Sequence, residues 1–526
     1  MAVGAADRLH PLDRLLAEGG PGLAVSLAGR PPVPDRRERR LVKVAPFLPE
    51  LLLVAGGLAC LLLPVRRQTR WLGWGTLFLL VAALDLKLWG VLHEPFSQDL
   101  FGGWFTLDRF SQLFGFLILV GSAGVAAAVL GFRQERGTTL GREFFGLLLL
   151  ATTALLIVAG ARHLFLIYLG LEMVSLLSYC MTGVIKRDSL GTEAALKYFL
   201  FGALATGAFL YGLSWIYGLT GTLHLAPAAA RMGLLLHESP WIAGMALFFV
   251  TVGVGFKLSL VPFHMWAPDA YEGAPTPVAA FLSIGPKAAA FAVAVRLFPA
   301  ALPSDAAFWS PMLAWLAVLS MTIGNLAAVG QTNVKRLLAY SSIAHAGTML
   351  IGIAAGSSLG LAATFYYLGA YLLMNLGAFT GVILIGNRTG REDLDAFRGL
   401  SRSEPAAALA ITVCLLSLAG IPPLAGFFAK LWIFGAALQA NLTWLAVAAA
   451  LNAVVAAFYY MRIVQAMYLA SDPLPAAVAF PHRRLLTGLL FACVIGLFAI
   501  GLFPQDWLTW AIQALPPAAP PSLLPW

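Results

Sequence analysis

The feature that most constrains this chain is a set of charged residues inside apolar segments long enough to cross a membrane. Glu172 lies in FLIYLGLEMVSLLSYCMTG, Lys257 in FFVTVGVGFKLSLVPFHMW, Lys287 in FLSIGPKAAAFAVAV and Lys430 in SLAGIPPLAGFFAKLWIF. A charged side chain at the centre of a spanning helix costs about 2.5–3.5 kcal/mol on insertion scales, so such residues normally face a protein interior or a wet cavity. The pattern predicts an ion or proton pathway.

The composition is that of a polytopic membrane protein. Of the 526 residues, 60% are hydrophobic and 11% are charged, whereas soluble domains carry about 25% charged residues. A spanning helix needs about 20 mostly apolar residues, and fourteen such segments follow one another. They begin near residues 45, 71, 109, 144, 163, 195, 241, 278, 308, 336, 361, 405, 441 and 485. We therefore predict an all-α fold with about fourteen transmembrane helices.

The connections between segments differ in basic content. Those after odd-numbered segments hold most of the arginines and lysines, for example Arg66, Lys186 and Arg388, whereas the even connections hold few. Under the positive-inside rule the odd connections are cytoplasmic. The pattern predicts a multi-pass protein of the bacterial inner membrane, with both termini of the fourteen-helix core on the non-cytoplasmic side.

Residues 1–43 do not fit this orientation. They are rich in arginine, and they lack the uninterrupted apolar run of a signal peptide. Two interpretations remain open: the true start lies further along the chain, near PFLPELLL, or these residues form a poorly ordered basic tail.

Glu172 belongs to a polar stripe on the fifth segment. Tyr168, Glu172, Ser175, Tyr179 and Thr182 recur at spacings of three and four residues, which places them on one helical face. That face is predicted to pack against other helices. Glu172 is either a structural carboxylate held by a neighbouring hydroxyl or the partner of a lysine on another helix.

Lys257 and Lys430 each lie close to prolines and glycines. Pro262 follows Lys257, and Pro422 and Pro423 precede Lys430. Proline removes a backbone donor and clashes with the preceding turn, so both helices are expected to break near their lysine. Interrupted helices at matching positions of two halves indicate inverted repeats around a midplane site, although a kink that only shapes packing is the simpler alternative.

The matching positions define the predicted organisation. Segments 4–8 and 9–13 form two inverted five-helix repeats. The predicted divisions are 44–143 for the first three helices, 144–300 and 301–470 for the two repeats as half-channels, and 471–526 for the last helix and the C-terminal tail.

Further candidates lie between and beside these lysines. Lys287 follows Pro286, where a third helix break is predicted, and desolvation there would allow it to exchange protons. The alternative is a lysine whose stem extends to the membrane interface. His345 could pass protons between the halves or be a satisfied core histidine. Lys335 is either a member of the relay or a cytoplasmic anchor. Glu193 and Lys197, at i and i+4, are lesser candidates that also suit a surface ion pair.

The chain carries no motif for a redox cofactor, a metal or a nucleotide. Its four cysteines stand singly in apolar segments, without CxxC or CxxCH spacing. Neither GxGxxG after a strand nor GxxxxGK[ST] is present. Redox chemistry or ATP hydrolysis is therefore expected on a partner, and no nucleic acid partner is indicated.

Several long motifs resemble a known family. The stretches KRDSLGTEAALKYFLFGALATGAFLYG, GVGFKLSLVPFHMWAPDAYEGAPTPVAAFLSIGPKAAAF, NVKRLLAYSSIAHAG and SLAGIPPLAGFFAKLWIF are similar to the antiporter-like membrane subunits of proton-pumping NADH:quinone oxidoreductase, respiratory complex I, and among these to subunit N. The resemblance covers roughly residues 45–505 and implies a fourteen-helix fold with inverted repeats.

The resemblance also implies roles for individual residues. Glu172 and Lys257 correspond to the charge-paired residues of the first half-channel, Lys287 to the connecting lysine, and Lys430 to the terminal lysine of the second half-channel. His264 and His345 correspond to histidines of the central polar axis. The sibling subunit M typically has glutamate at the position of Lys430, which favours subunit N.

The implied mechanism is an electrostatic relay. Loss of the attraction of Glu172 releases a proton from Lys257, which passes through Lys287 and the region of His345 to Lys430 with the help of bound water. The resemblance implies that NADH, FMN, iron–sulfur clusters and quinone are bound by other subunits. It implies sibling antiporter-like subunits and small membrane subunits as partners, all within the lipid bilayer.

Two other functions remain open from the sequence. A subunit of a multisubunit monovalent cation/proton antiporter would share the fold and the three lysines, and a purely structural membrane subunit would carry an idle channel. The segments DLDAFRGLSRSEP and KRDSLGTEAALKYF favour complex I.

Overall fold

The computed structural model describes residues 47–62, 70–93, 97–132, 140–186, 188–302, 305–470 and 482–514. The basic tail predicted over residues 1–43 lies outside them. The described residues form helices almost throughout, with one short β-hairpin.

Three helices come first. They are α1 (Leu48–Leu62), α2 (Arg70–His93) and α3 (Arg109–Gly131). Between α2 and α3, strand β1 (Ser97–Leu100) pairs antiparallel with β2 (Phe105–Asp108). We call the membrane face that carries this hairpin the hairpin face and the opposite one the basic face. Asp108 caps α3 through a reciprocal pair of hydrogen bonds with Ser111, as expected for a capping box.

Two groups of helices follow. The first contains α4 (Arg142–Gly160), α5 (Leu164–Thr182), α6 (Ser189–Thr220), α7 (Leu225–Glu238), α8 (Pro240–Leu258), α9 (Trp266–Gly273) and α10 (Thr276–Leu297). The second contains α11 (Ala306–Val329), α12 (Val334–Ala354), α13 (Ser358–Thr389), α14 (Leu400–Ser403), α15 (Pro405–Ala419), α16 (Ala425–Gln439) and α17 (Thr443–Leu469). The chain continues through α18 (Arg483–Leu502) and α19 (Pro504–Ala514).

The helices agree with the fourteen predicted segments. Within the described ranges, twelve helices are long and apolar enough to span a membrane, and α1, α15 and α16 are shorter apolar helices. Helices α15 and α16 together occupy the predicted twelfth segment, and α1 occupies the first. The prediction of an all-α polytopic membrane fold is confirmed.

The two groups share details that the sequence did not reveal. In each, the third helix has 32 residues and ends at a glycine with φ of +71°, Gly221 after α6 and Gly390 after α13, because a left-handed cap favours glycine. In each, the residue before the second helix forms a β-bridge to the segment after the third: His163 to His224, and Asn333 to Asp393. The first bridge lies on the hairpin face and the second on the basic face, as inversion requires.

The predicted breaks near Lys257 and Lys430 are present. Helix α8 ends at Leu258, and a stretch containing Pro262 separates it from α9. Helix α15 ends at Ala419, and Pro422 and Pro423 lie before α16. The break predicted at Pro286 is wrong, since α10 runs through this proline without interruption. Helix α10 is buried on all sides, and packing by neighbouring helices allows proline inside a spanning helix.

On the hairpin face, a cluster of three charged residues links the start of α3, the end of α10 and the connection between α4 and α5. The Asp108 carboxylate accepts from Nη2 of Arg296 at 2.9 and 3.1 Å and from Arg162 at 3.1 Å. The Arg296 guanidinium lies 4.3 Å from the centre of the Phe110 ring. Burial alone would raise the pKa of Asp108, but the charge and hydrogen bonds of Arg296, with those of Ser111 and Arg162, hold that pKa below its usual value.

We expect Asp108→Asn to lower the free energy of unfolding by about 3–5 kcal/mol, because it leaves a buried arginine without its counter-charge. Denaturant unfolding of the detergent-solubilised protein measures this. Since the pKa of the folded state is depressed, the contribution is present above pH 3.8 and is lost as the pH falls further. The control is Glu143→Gln, whose partner Arg142 lies 3.7 Å away at the surface; its effect should stay below about 1 kcal/mol. Equal effects of the two variants would contradict the assignment.

Candidate functional site

Three lysines from different helices lie in the interior of the protein. Lys257 is 6% exposed, Lys287 1% and Lys430 8%. Lys287 occupies the twelfth position of the 22-residue helix α10, about 16 Å along its axis at 1.5 Å per residue, and therefore near mid-membrane depth. The other two lie beside the breaks of their helices. The structure thus buries all three lysines that the sequence singled out.

Lys257 and Glu172 are near neighbours but form no direct ion pair in the structure. The Lys257 ammonium donates to the Ser175 hydroxyl, one turn along α5 from Glu172. The Glu172 carboxylate accepts from the Thr206 hydroxyl of α6 at 2.7 Å and acts on Lys257 only through its charge. Glu172 is half-buried, so this end of the site lies near the lateral surface of the chain.

Lys287 is held by one residue of α12. Its ammonium donates to the Ser342 carbonyl at 2.7 Å and to the Ser342 hydroxyl at 2.5 Å. The Tyr271 hydroxyl lies 3.4 Å from the same Ser342 oxygen. Every partner of Lys287 is therefore neutral.

His345 lies between two tyrosine hydroxyls. Its Nδ1 is 2.9 Å from Tyr367 and its Nε2 is 3.0 Å from Tyr460. The Tyr460 hydroxyl also bonds the Ser341 hydroxyl, and Ser341 precedes the serine that holds Lys287. The sequence did not predict a role for either tyrosine, because nothing in the surrounding residues distinguishes Tyr367 or Tyr460 from an aromatic residue of the core.

Lys430 is held by the end of the broken helix. Its ammonium donates to the carbonyls of Leu418 at 3.1 Å and Ala419 at 2.7 Å, which are among the last carbonyls of α15 and lack partners within that helix. The negative end of the helix dipole favours a cation there. Gly420 follows with φ of +90°, and a Cβ at this glycine would stand 2.8 Å from Cδ of Lys430.

A small cavity separates His345 from Lys430. Its volume is about 10 Å³, and its lining includes Asn325, Asn452 and Tyr459. A water molecule needs roughly 10–15 Å³ and two to four polar partners. The cavity therefore suits one water that bridges the imidazole and the ammonium.

The structure places the lesser candidates on the basic face. Lys335 pairs with Glu392 at 2.7 Å. Lys197 pairs with Glu193 at 2.7 Å and with Asp269 at 3.2 Å. These residues surround the basic-face end of the site and are not brought to the central lysines.

Arg336 extends this network and His264 lies apart from it. Arg336 reaches Asp269 at 2.6 Å and Glu272 at 2.8 Å. His264 is half-buried between α8 and α9, and its Nδ1 has no hydrogen-bond partner among the described residues.

One buried lysine outside the site provides a comparison. Lys87 of α2 forms a 2.7 Å ion pair with Glu50 of α1, and both are almost fully buried. Lys287 and Lys430 bond only neutral oxygens. Among the described residues, no group of three or more His, Cys, Asp or Glu side chains is arranged to hold a metal ion.

The site lies within a region that matches a known family. The family described as "NADH:quinone oxidoreductase/Mrp antiporter, TM" matches residues 161–456, which include Glu172 and all three central lysines. The chain belongs to this family. The matched region, residues 161–456, includes both helix breaks, the one after α8 and the one after α15.

Curated relatives of this family are similar over most of their length. NADH-quinone oxidoreductase subunit N 1 of Solibacter usitatus is 41% identical over 478 residues, which is 89% of this chain and 96% of the relative. NAD(P)H-quinone oxidoreductase subunit 2 of Thermosynechococcus vestitus is 44% identical over 426 residues, 80% of this chain and 81% of the relative.

Solved structures of the family share the fold. A chain of respiratory complex I from Thermus thermophilus with bound aureothin is 36% identical, with a TM-score of 0.74 over 88% of this chain and 98% of that chain. A chain of the Mrp complex from Dietzia sp. has a TM-score of 0.79 over 90% of this chain and 97% of that one, at 23% identity, a likeness of fold alone.

Thermal stability distinguishes a buried lysine that carries protons from one that stabilises the fold. We expect Lys287→Met to leave thermal stability unchanged or to raise it, because replacing a buried charge by an apolar side chain of similar size is often neutral or stabilising. Lys87→Met should lower stability, because it leaves the Glu50 carboxylate buried and unpaired. Melting curves of the two purified variants test this, and a large loss in Lys287→Met would identify a structural role.

Proposed function

We propose that this chain is a proton-translocating membrane subunit of an NADH:quinone oxidoreductase. The observation that carries the proposal is the burial of Lys287 and Lys430 among neutral oxygens only. Burying an ammonium without a counter-charge is costly, and a lysine in such a place readily takes up and releases a proton. The names of the curated relatives, NADH-quinone oxidoreductase subunit N among them, support the redox complex as its setting.

The first half-channel, residues 144–300, receives the proton in this proposal. Glu172 holds Lys257 in its charged form, and the Ser175 hydroxyl accepts from the ammonium. When the charge of Glu172 is neutralised or drawn to a neighbouring subunit, Lys257 releases its proton. Lys257 and Lys287 share no hydrogen bond in the structure, and packed helices are about 8–10 Å apart, so bound water carries the proton between them.

The second half-channel, residues 301–470, passes the proton onward. Ser342 accepts from Lys287, and Ser341 bonds Tyr460, which bonds His345. A hydroxyl both donates and accepts, so Tyr460 can take a proton on one side while giving one on the other. The water-sized cavity then joins His345 to Lys430.

The proposal places the basic face in the cytoplasm, following the positive-inside rule. The ion pairs of Lys197, Lys335 and Arg336 then surround the entrance. His264 is a further candidate next to the first break. NADH, FMN, iron–sulfur clusters and quinone are bound by other subunits, and sibling antiporter-like subunits and small membrane subunits are the partners at the lateral surfaces, including the one near Glu172.

We expect Lys257→Ala and Lys430→Ala to abolish NADH-driven proton uptake into inverted membrane vesicles and to slow quinone reduction with it, because each removes one carrier of a coupled chain. Lys186→Ala, which changes an exposed lysine of the basic face, is the control and should pump normally. Native gels check that the complex assembles.

Two outcomes would overturn this function. Normal pumping in an assembled Lys257→Ala complex would exclude the relay. Unchanged NADH oxidation together with lost monovalent cation/proton exchange would instead identify an antiporter, the alternative that the Mrp part of the family description raises.

A matched pair of tyrosines tests the path through α12. Tyr460→Phe removes the hydroxyl that joins Ser341 to His345, and we expect proton uptake to fall by about 10²–10⁴-fold, the range attributed to a positioned proton-transfer group. Tyr366→Phe removes a hydroxyl that donates to the Ile500 carbonyl at 3.1 Å, which leaves the His345 contacts in place and lies outside the lining of the cavity beside Lys430. Equal proton uptake by the two variants would show that the path avoids Tyr460.

A further inference from the structure

Two histidine side chains, His163 and His224, lie together on the hairpin face. His163 is in the connection between α4 and α5, and His224 is in the connection between α6 and α7. The centres of their rings are 4.7 Å apart, and the ring planes are perpendicular. His163 is 7% exposed, whereas His224 is half-buried, so the pair is reached from outside through His224.

The backbone holds the two side chains close together. His163 and His224 are opposite one another in a β-bridge. The N–H group of the residue after each histidine donates to the carbonyl of the residue before the other, at 2.8 and 2.9 Å. This pattern defines a non-hydrogen-bonded pair of an antiparallel ladder, in which opposite side chains come closest. The two imidazoles therefore project side by side from the same side of the ladder.

Both histidines occupy helix N-cap positions without capping a helix. His163 precedes α5 and His224 precedes α7, and neither side chain forms a cap hydrogen bond. The equivalent bridge of the second group joins Asn333 to Asp393. Each of those side chains accepts from the backbone N–H three residues further along, at 3.1 and 3.0 Å, as N-cap residues usually do. The bridge itself therefore needs no histidine, and helix capping favours other residues.

One ring nitrogen of the pair lacks a partner. Nδ1 of His163 is buried and has no hydrogen-bond partner among the described residues, an uncommon state for a buried polar atom. Trp104 stacks on the His163 ring with 3.9 Å between the ring centres, which supports the ring but leaves this nitrogen without a partner. Arg162 is directed to the other side of the extended segment and donates to Asp108 at 3.1 Å, so its charge does not oppose a cation at the imidazoles.

The geometry of the pair suits a transition metal. Imidazole nitrogen binds zinc at about 2.0–2.1 Å, and two imidazoles on one tetrahedral zinc at that bond length have ring centres about 5 Å apart. The separation of 4.7 Å between His163 and His224 is close to this value. Imidazole is a ligand of zinc, copper and nickel, whereas Mg²⁺ and Ca²⁺ prefer oxygen ligands.

We infer that His163 and His224 bind one divalent transition-metal ion of the zinc class, with water at the remaining positions. The bound ion joins the connection before α5 to the connection before α7 on the hairpin face. This inference is independent of the proposed function, because neither histidine belongs to the relay.

The first test counts Zn²⁺ ions bound by the whole assembled complex. The complex is washed with a chelator and dialysed against Zn²⁺, and its zinc content is measured by inductively coupled plasma mass spectrometry. We expect His163→Asn and His224→Asn each to bind one ion fewer than the parent. Asparagine caps a helix at the equivalent position 333, so these variants are expected to fold. His237→Asn, at an exposed histidine of α7, is the control and should bind as much zinc as the parent.

The second test locates the ion by chemical modification with diethyl pyrocarbonate, which reacts with free imidazole nitrogens. At a Zn²⁺ concentration about ten times the dissociation constant, about one site in eleven is free, so modification of His224 should slow roughly tenfold. The exposed His237 should react at the same rate with and without Zn²⁺. A large excess of Mg²⁺ should give no protection, and His163→Asn should abolish the protection of His224. Peptide mass spectrometry measures both histidines in one sample.

Three results would overturn the inference. They are equal zinc content in the parent and both asparagine variants, unprotected His224 in the parent, and protection of His224 that persists in His163→Asn. The second result needs no variant, so a folding defect cannot produce it. Neither test measures proton transfer, so its outcome is separate from that of the proposed relay.

Discussion

The cost of holding an ammonium group in a low-dielectric interior governs this structure. The Glu50 carboxylate offsets that cost for Lys87, and the two side chains form a stable ion pair between α1 and α2. Lys287 and Lys430 have only carbonyl and hydroxyl oxygens within reach, and such partners stabilise the charged form far less than a carboxylate does. A small change nearby, such as the entry of water, therefore suffices to shift the balance between charged and neutral lysine.

The sequence predicted those features that rest on strong local rules. Charged residues within apolar segments identified Glu172 and the three lysines as candidates. The nearby prolines predicted the helix breaks beside Lys257 and Lys430. Pro286 shows the limit of that rule, because the surrounding helices keep α10 intact despite the lost hydrogen bond. Tyr460 could not be predicted, since its role depends on α17 approaching α12, a contact between residues more than a hundred positions apart.

The two helix groups explain why the two broken helices run in opposite directions through the membrane. Each group contains a 32-residue helix, about 48 Å long at 1.5 Å per residue, which exceeds the bilayer core of about 30 Å. A β-bridge fastens the start of the neighbouring helix to the segment beyond each long helix, on opposite membrane faces. With the two groups inverted, α8 enters from the hairpin face and α15 enters from the basic face.

Gly420 brings the backbone and the charge together at the second break. Its left-handed conformation turns the chain after α15, and the absence of a side chain leaves the space that the Lys430 stem occupies. The ammonium reaches the carbonyls of Leu418 and Ala419 through this open space, so a residue without a functional group of its own determines where the charge lies. A larger residue at position 420 would push the lysine stem away from α15 and weaken the contact between the ammonium and the end of that helix.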